Sequence, residues 1–156
     1  MVTTTLQAIR FNSRSPRSVA HLSTFSHAPF TLRLKVGTFR FRNAEAAYQL
    51  LKAEHITREL ALHFSQLEPG RAAYEGKRLR IRKDWSTKRY EAMAYVLAAK
   101  YEQNPWLVKL LLETGDTELE HLAPWDTHWG VDQQGRGENW LGRMLMIARE
   151  HFREQA

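Results

Sequence analysis

In the stretch "NAEAAYQLLKAEH", residues 43–55, the side chains able to do chemistry are Glu45, Tyr48, Gln49 and Lys52. A carboxylate can stabilise a developing cation or orient water. An amide and a phenol can donate and accept hydrogen bonds, and an ammonium can hold an anion. Their spacing of i, i+3, i+4, i+7 sets all four on one stripe of a helix. Asn43 supplies an N-cap, no Gly or Pro interrupts the run, and Ala44, Ala47, Leu50, Leu51 and Ala53 take the opposite side. On spacing alone, a solvated surface helix is the favoured reading of the stripe. Tyr48 is the residue that fits such a surface poorly.

Three further stretches carry functional side chains. "GKRLRIRKDW", residues 76–85, packs five basic residues, Arg82 among them, into positions 77–83 and leads into Trp85. A cation beside an indole suits a nucleotide, with phosphate on one and base on the other; a solvated face is the plainer alternative. "APWDTHWG", residues 123–130, holds Trp125, Asp126, His128 and Trp129, where the tryptophans either line a site or plug the core. "GRGENWLGRMLMIARE", residues 135–150, runs from a Gly-rich loop into a helix whose first N–H groups can bind phosphate. It matches neither the P-loop nor the dinucleotide fingerprint. There Asn139 reads as an N-cap or a ligand, and Leu141, Met144, Leu145 and Ile147 read as core. The seven His show no metal-ligand spacing and there is no Cys, so no metal site is expected. No Ser-His-Asp arrangement is present either.

These residues need elements to position them. The alternation of Phe30, Leu32, Leu34 and Val36, then Phe39 and Phe41, predicts a hairpin with Gly37 as a turn residue. "LQAIRF" near the start alternates like a short strand, which favours a folded beginning over a targeting segment. Helical patterns follow at 44–54, 56–66, 70–75, 86–103, 105–113 and 138–153, with Ser86 and Asn104 as N-caps, Pro105 in a first turn and Gly115 as a closing residue. Segment 122–137 is the main irregular stretch. The 156 residues fit one domain, 1–156, and the pattern is that of a mostly helical α+β protein. No apolar run approaches the roughly 20 residues of a membrane span. Lack of Cys suits a cytoplasmic protein. The net charge of +6 is unevenly placed: residues 1–44 carry +7 and residues 45–156 carry −1, because every acidic residue lies from Glu45 onward. Such a balance favours anionic partners.

Six stretches in order resemble the NADAR, or YbiA-like, family. They are "HLSTFSHAPFTL", "AEAAYQLLKA", "RLRIRKDWSTKRYEAM", "AAKYEQNPWLVKLLLETGDTEL", "PWDTHWG" and "ENWLGRMLMIARE", spanning about residues 11–153. The family pattern E-x-x-Y-Q-x-x-K falls on Glu45, Tyr48, Gln49 and Lys52. Its tryptophan after the basic run falls on Trp85, its D-x-x-W-G on Asp126, Trp129 and Gly130, and its N-x-L-G on Asn139, Leu141 and Gly142. Three positions depart from it: Ala46 where His is common, Thr24 where Asn is common, and Asp132 where Gly is usual.

The resemblance implies a mainly α-helical fold, with the small N-terminal β-hairpin. It also implies N-glycosidase activity on ribosyl compounds: ADP-ribose on a guanine base in some members, phosphorylated riboflavin-pathway intermediates in others. In that reading Glu45 stabilises the oxocarbenium-like sugar and handles water, and Asp126 is a partner acid/base or a ribose hydroxyl acceptor. Tyr48, Gln49, Lys52, Arg82, Trp85, Trp129, Gly130, Asn139 and Gly142 bind substrate, and neither cofactor nor metal is required. The partner is then a nucleotide-like or ADP-ribosyl molecule, which includes one carried on a DNA or RNA guanine, and no membrane. A non-catalytic NAD- or ADP-ribose-binding module ranks second, and a nucleic-acid-binding accessory protein third.

Overall fold

A computed structural model describes residues 7–156. Residue contacts divide it into two compact units. A central unit runs over Thr24–Pro105, and a flanking unit joins the chain up to Ser23 with Trp106–Ala156. The "LQAIRF" strand is realised as β1 (Ile9–Phe11), while its leading Leu6 lies outside the described residues.

The central unit begins with β2 (Phe30–Leu34) and β3 (Gly37–Phe41), an antiparallel pair in which Phe30 faces Phe41 and Leu32 faces Phe39. Alternation puts these four rings and chains on one buried face and leaves Thr31, Arg33 and Arg40 outside. The two-residue turn is Lys35–Val36, and Gly37 opens β3 at φ +135°, a conformation that other residues adopt only under strain. The outer edge of β2 is closed by side chains. The Gln103 amide accepts from Thr31 N at 2.7 Å and donates to Thr31 O at 2.8 Å, and the Tyr95 hydroxyl donates to Arg33 O at 2.7 Å.

Four helices complete this unit: α2 (Ala44–Leu51), α3 (Arg58–Ser65), α4 (Pro69–Gly76) and α5 (Trp85–Glu102). Asn43 caps α2 as its sequence position predicts, accepting from Ala46 N at 2.8 Å. Ala44, Ala46, Ala47 and Leu50 join Phe30, Leu32, Phe39, Phe41, Phe64 and Val96 in one core. Ser86, expected as the cap of α5, lies inside it. The helix starts one residue earlier at Trp85, after Asp84, whose carboxylate is engaged by Arg82 rather than by the helix N–H groups. Asn104 directs its amide to the carbonyls of Pro29 and Lys100, tying the end of α5 to the entry of the hairpin.

In the flanking unit, α1 (Arg17–Ala20) is followed by α6 (Pro105–Glu113, whose first residue belongs to the central unit), β4 (Leu119–His121) and α7 (Trp140–Glu154). β1 pairs with β4 in parallel, Phe11 opposite His121. Of the expected core residues of α7, Leu141 and Leu145 are buried, but Ile147 is 69% exposed. Two residues beyond Leu145 is about 200° of helix rotation, so Ile147 faces away from that stripe. Among the described residues, no helix is long and apolar enough to cross a membrane.

Lys100 is completely buried on α5, its Nζ donating to Ser26 Oγ at 3.2 Å, and burial pushes its ammonium down to about 7 from the ordinary 10.5. Between these values the unfolded chain holds a proton that the folded one has released, so stability rises with pH from about 7. Burial raises the Tyr101 phenol above its ordinary 10.0, which reverses the slope above that pH. Urea unfolding between pH 7 and 10 is expected to show an upward slope on the order of 1 kcal/mol per pH unit. Lys100→Met is expected to flatten it; an unchanged slope in that variant would assign it elsewhere.

Candidate functional site

The chemistry-bearing stripe of α2 is not solvated. Tyr48 and Gln49 are each 6% exposed, and Glu45 and Lys52 are half-buried. Glu45 is held at both carboxylate oxygens. Thr24 Oγ1 donates to Oε2 at 2.7 Å, and Gln49 Nε2, one turn along the helix, donates to Oε1 at 2.8 Å. A backbone bond from Glu45 N to Thr24 O, 3.0 Å, fixes the chain that brings the threonine there. The amide orientation of Gln49 follows from its donor role, and Gly76 leaves room for it: a Cβ at Gly76 would collide with the Gln49 side chain.

The chain leaving α2 positions the aromatic and basic residues. Ala53 bridges Ile81, with Glu54 N donating to Arg80 O at 2.8 Å and Arg82 N to Lys52 O at 2.9 Å. This pins the basic run beside the end of α2, and a turn from Arg82 O to Trp85 N, 3.2 Å, then starts α5. As a result the half-buried Trp85 ring lies 5.2 Å from the Tyr48 ring, tilted by 49°. Lys52 Nζ sits 5.8 Å from the centroid of the same tyrosine. Arg82 spends its guanidinium on Asp84, at 2.6 and 3.0 Å. Each partner reinforces the other's charge: Asp84 raises Arg82 and Arg82 holds Asp84 below the usual carboxylate range. Six of the sequence-selected residues, Glu45, Tyr48, Gln49, Lys52, Arg82 and Trp85, therefore belong to the central unit. Ala46, where the family often has His, points into the core and is fully buried.

Asp126, Trp129, Gly130, Asn139 and Gly142 belong to the flanking unit, where backbone bonds join the two motifs that carry them. Glu138 N donates to Thr127 O at 2.7 Å, Asn139 N to Gly130 O at 3.1 Å, Trp140 N to His128 O at 3.2 Å and Leu141 N to Trp129 O at 3.0 Å. Two first-turn N–H groups of α7 are thus occupied by carbonyls, which corrects the expectation that they meet a phosphate. Asp126 Oδ1 accepts from His128 N and Trp129 N, shaping the loop, and His128 Nδ1 meets Glu138 Oε2 at 2.5 Å. Trp125 does not plug the core: it is 79% exposed.

Asn139 occupies the N-cap position of α7 at φ +54°, yet it makes no cap bond. Its amide instead accepts from His121 N at 3.0 Å and donates to Leu119 O at 2.8 Å. Asn tolerates this left-handed backbone better than most residues. Gly142 lets the helix approach β4, since a Cβ there would meet the Leu119 carbonyl and the Asn139 amide. Gly130 likewise lies against the His121 carbonyl. Burial lowers the His121 imidazole below its usual range, with Asp126 pulling the other way. Asp132 closes its turn through Gln134 N and Arg136 N, both 2.9 Å, and these bonds hold its carboxylate low.

Sequence reading noted Thr24 only as a departure from a family pattern, although it supplies one of the two bonds on Glu45. Its partner is 21 residues away, beyond any local periodicity.

A mainly helical protein with two small sheets and a clamped carboxylate beside a Tyr–Trp pair is the class defined by this geometry. The chain belongs to the NADAR domain family, whose model matches residues 10–153 and runs through both units. Its relatives include a riboflavin biosynthesis protein of Vibrio vulnificus, 44% identical over 75 residues, which are 48% of this chain and 20% of that protein. The N-glycosidase YbiA of Escherichia coli is 39% identical over 72 residues, 46% of this chain and 45% of that one. A chloroplastic riboflavin biosynthesis protein of Arabidopsis thaliana, PYRR, is 36% identical over 83 residues, 53% of this chain and 14% of that one. The matched stretches thus span less than half of each curated relative. The NMR structure of Escherichia coli YbiA shares the fold, with a TM-score of 0.76 at 24% identity over 96% of this chain and 89% of that one.

Gly142→Ala is expected to cost about 1–3 kcal/mol by overpacking against β4. Gly70→Ala, where a Cβ meets nothing within 4 Å, is expected to be neutral or slightly stabilising. Urea denaturation of the two variants distinguishes a close-packing glycine from an incidental one, and equal midpoints would remove the packing role of Gly142.

Proposed function

We propose that this protein is an N-glycosidase that hydrolyses the C–N bond between a ribosyl carbon and a nitrogenous base. The observation that carries the reading is the Glu45 carboxylate, fixed by Thr24 and Gln49 on a helix face that also bears Tyr48 next to Trp85. Departure of the base leaves positive charge on the sugar. A carboxylate held by neutral donors keeps its orientation while that charge develops, and can align the attacking water. The half-buried Trp85 ring, backed by Tyr48, offers an aromatic surface for a ring, and Lys52 an ammonium for an anionic group. For Asp126, in the flanking unit, we propose a role as hydrogen-bond acceptor through Oδ2, since Oδ1 is spent on the loop. The family match through both units supports treating the chain as one functional domain.

Two substrate classes follow from the family: ADP-ribose attached to guanine, and phosphorylated ribosyl intermediates of the riboflavin pathway. The names of the Vibrio and Arabidopsis relatives favour the second. A binding module without turnover is the competing reading, and we place its action in the cytoplasm no less than the enzyme's.

The test is release of free base from both substrate classes. Wild type is expected to turn over one of them, Glu45→Gln to lose about 10²-fold or more in kcat, and Thr24→Val about tenfold with KM little changed, while Thr24→Ser retains activity. Calorimetric binding without any product after long incubation would replace the enzyme with the binding module. Full turnover in folded Glu45→Gln would remove that residue from the mechanism.

A further inference from the structure

Arg89 lies one turn beyond Trp85 on the same face of α5. Three nearby cations in the sequence have acids: Arg80 meets Glu54 at 2.5 Å, Arg82 meets Asp84 at 2.6 Å, and Lys88 meets Glu91 at 3.1 Å. Arg89 has none among the described residues. Its contacts are with Tyr90, whose ring centroid is 5.0 Å from the guanidinium carbon and whose hydroxyl accepts from Nη2 at 3.1 Å. The side chain is half-buried, and its Nε is wholly buried with no acceptor.

A guanidinium partly removed from water, with no carboxylate, is costly to keep. Tyr90 offsets part of that cost through the face of the group and the Nη2 bond. The ring contact and the Nη2 bond fix the guanidinium, and with Nε buried its unbonded Nη donors are the ones left for an oxyanion. In the basic run at 77–83, the first candidate for holding phosphate, Arg80 and Arg82 are paired with their own acids, and Lys77, Arg78 and Lys83 are exposed where Arg89 is half-buried.

We propose that Arg89 is a phosphoryl-binding residue, taking the phosphate oxygens of a ligand whose flat ring meets Trp85 and Tyr48. This rests on the ribosyl-substrate reading and names the residue that holds its anion. The phosphoryl group has two sources, a small ribosyl phosphate or a nucleic-acid backbone.

Calorimetry with ribose 5-phosphate, ribose and a short unmodified single-stranded DNA separates them, using wild type, Arg89→Met, Arg89→Lys and Lys88→Met. Ribose 5-phosphate is expected to bind wild type more tightly than ribose. Arg89→Met is expected to weaken it about ten- to hundredfold, Arg89→Lys to recover part, and Lys88→Met, at an exposed lysine paired with Glu91, to leave it unchanged. Loss of DNA affinity alone in Arg89→Met would support the residue and assign the backbone as source. Wild-type affinity for both probes in folded Arg89→Met, or wild type that binds neither, would overturn the proposal. Should Arg89→Met not fold, Arg89→Gln takes its place in the comparison with Arg89→Lys. Binding is read without turnover, so failure of the glycosidase reading would show separately, as absent base release with the Arg89 effect intact.

Discussion

The constraint on which the central unit's chemistry depends is the pair of hydrogen bonds that hold the Glu45 carboxylate, one from Thr24 and one from Gln49. Each oxygen has one neutral donor, and among the described residues no cation is ion-paired with the group. A carboxylate paired with lysine or arginine would have its charge offset by its partner, whereas one held by a hydroxyl and an amide keeps its charge available to a cationic sugar. The rest of the helix serves that placement. Asn43 fixes where α2 begins, the alanines let it sink against the hairpin, and Gly76 leaves space for the Gln49 amide.

A second layer of positioning comes from backbone rather than side chains. The bridge between Ala53 and Ile81 carries the basic segment back beside α2 and starts α5 where Trp85 meets Tyr48. In the flanking unit the same economy appears: loop 127–130 and the start of α7 exchange backbone bonds, while Asn139 and Gly142 clamp the helix to β4. Residues that belong to a family pattern can thus be needed for close approach and loop shape. Asn139 and Gly142 have both tasks visible in their contacts.

Local periodicity made much of this legible in the sequence. The helix after Asn43, the hairpin around residues 35–37 and the shared stripe of Glu45, Tyr48, Gln49 and Lys52 all follow from spacings of two or of three and four. What periodicity could not supply was any relation across distance. Thr24 reaches Glu45 over 21 residues, and the three-residue strand β4 is too short to announce itself, although its partner β1 was legible in "LQAIRF". Helix starts were misplaced where caps were judged by residue type alone: Ser86 has the right chemistry, but α5 begins before it. Trp125 shows the opposite limit, since the usual preference of tryptophan for the interior fails for a residue that is 79% exposed.

The most direct measurement of the central claim is chemical rescue of Glu45→Ala by formate, followed as base release from a turned-over ribosyl substrate. A small carboxylate entering the space left by the side chain is expected to restore part of the lost rate, with dependence on formate concentration. Chloride at the same ionic strength is expected to restore none. Glu45→Ala that releases base at the wild-type rate without formate would contradict the account.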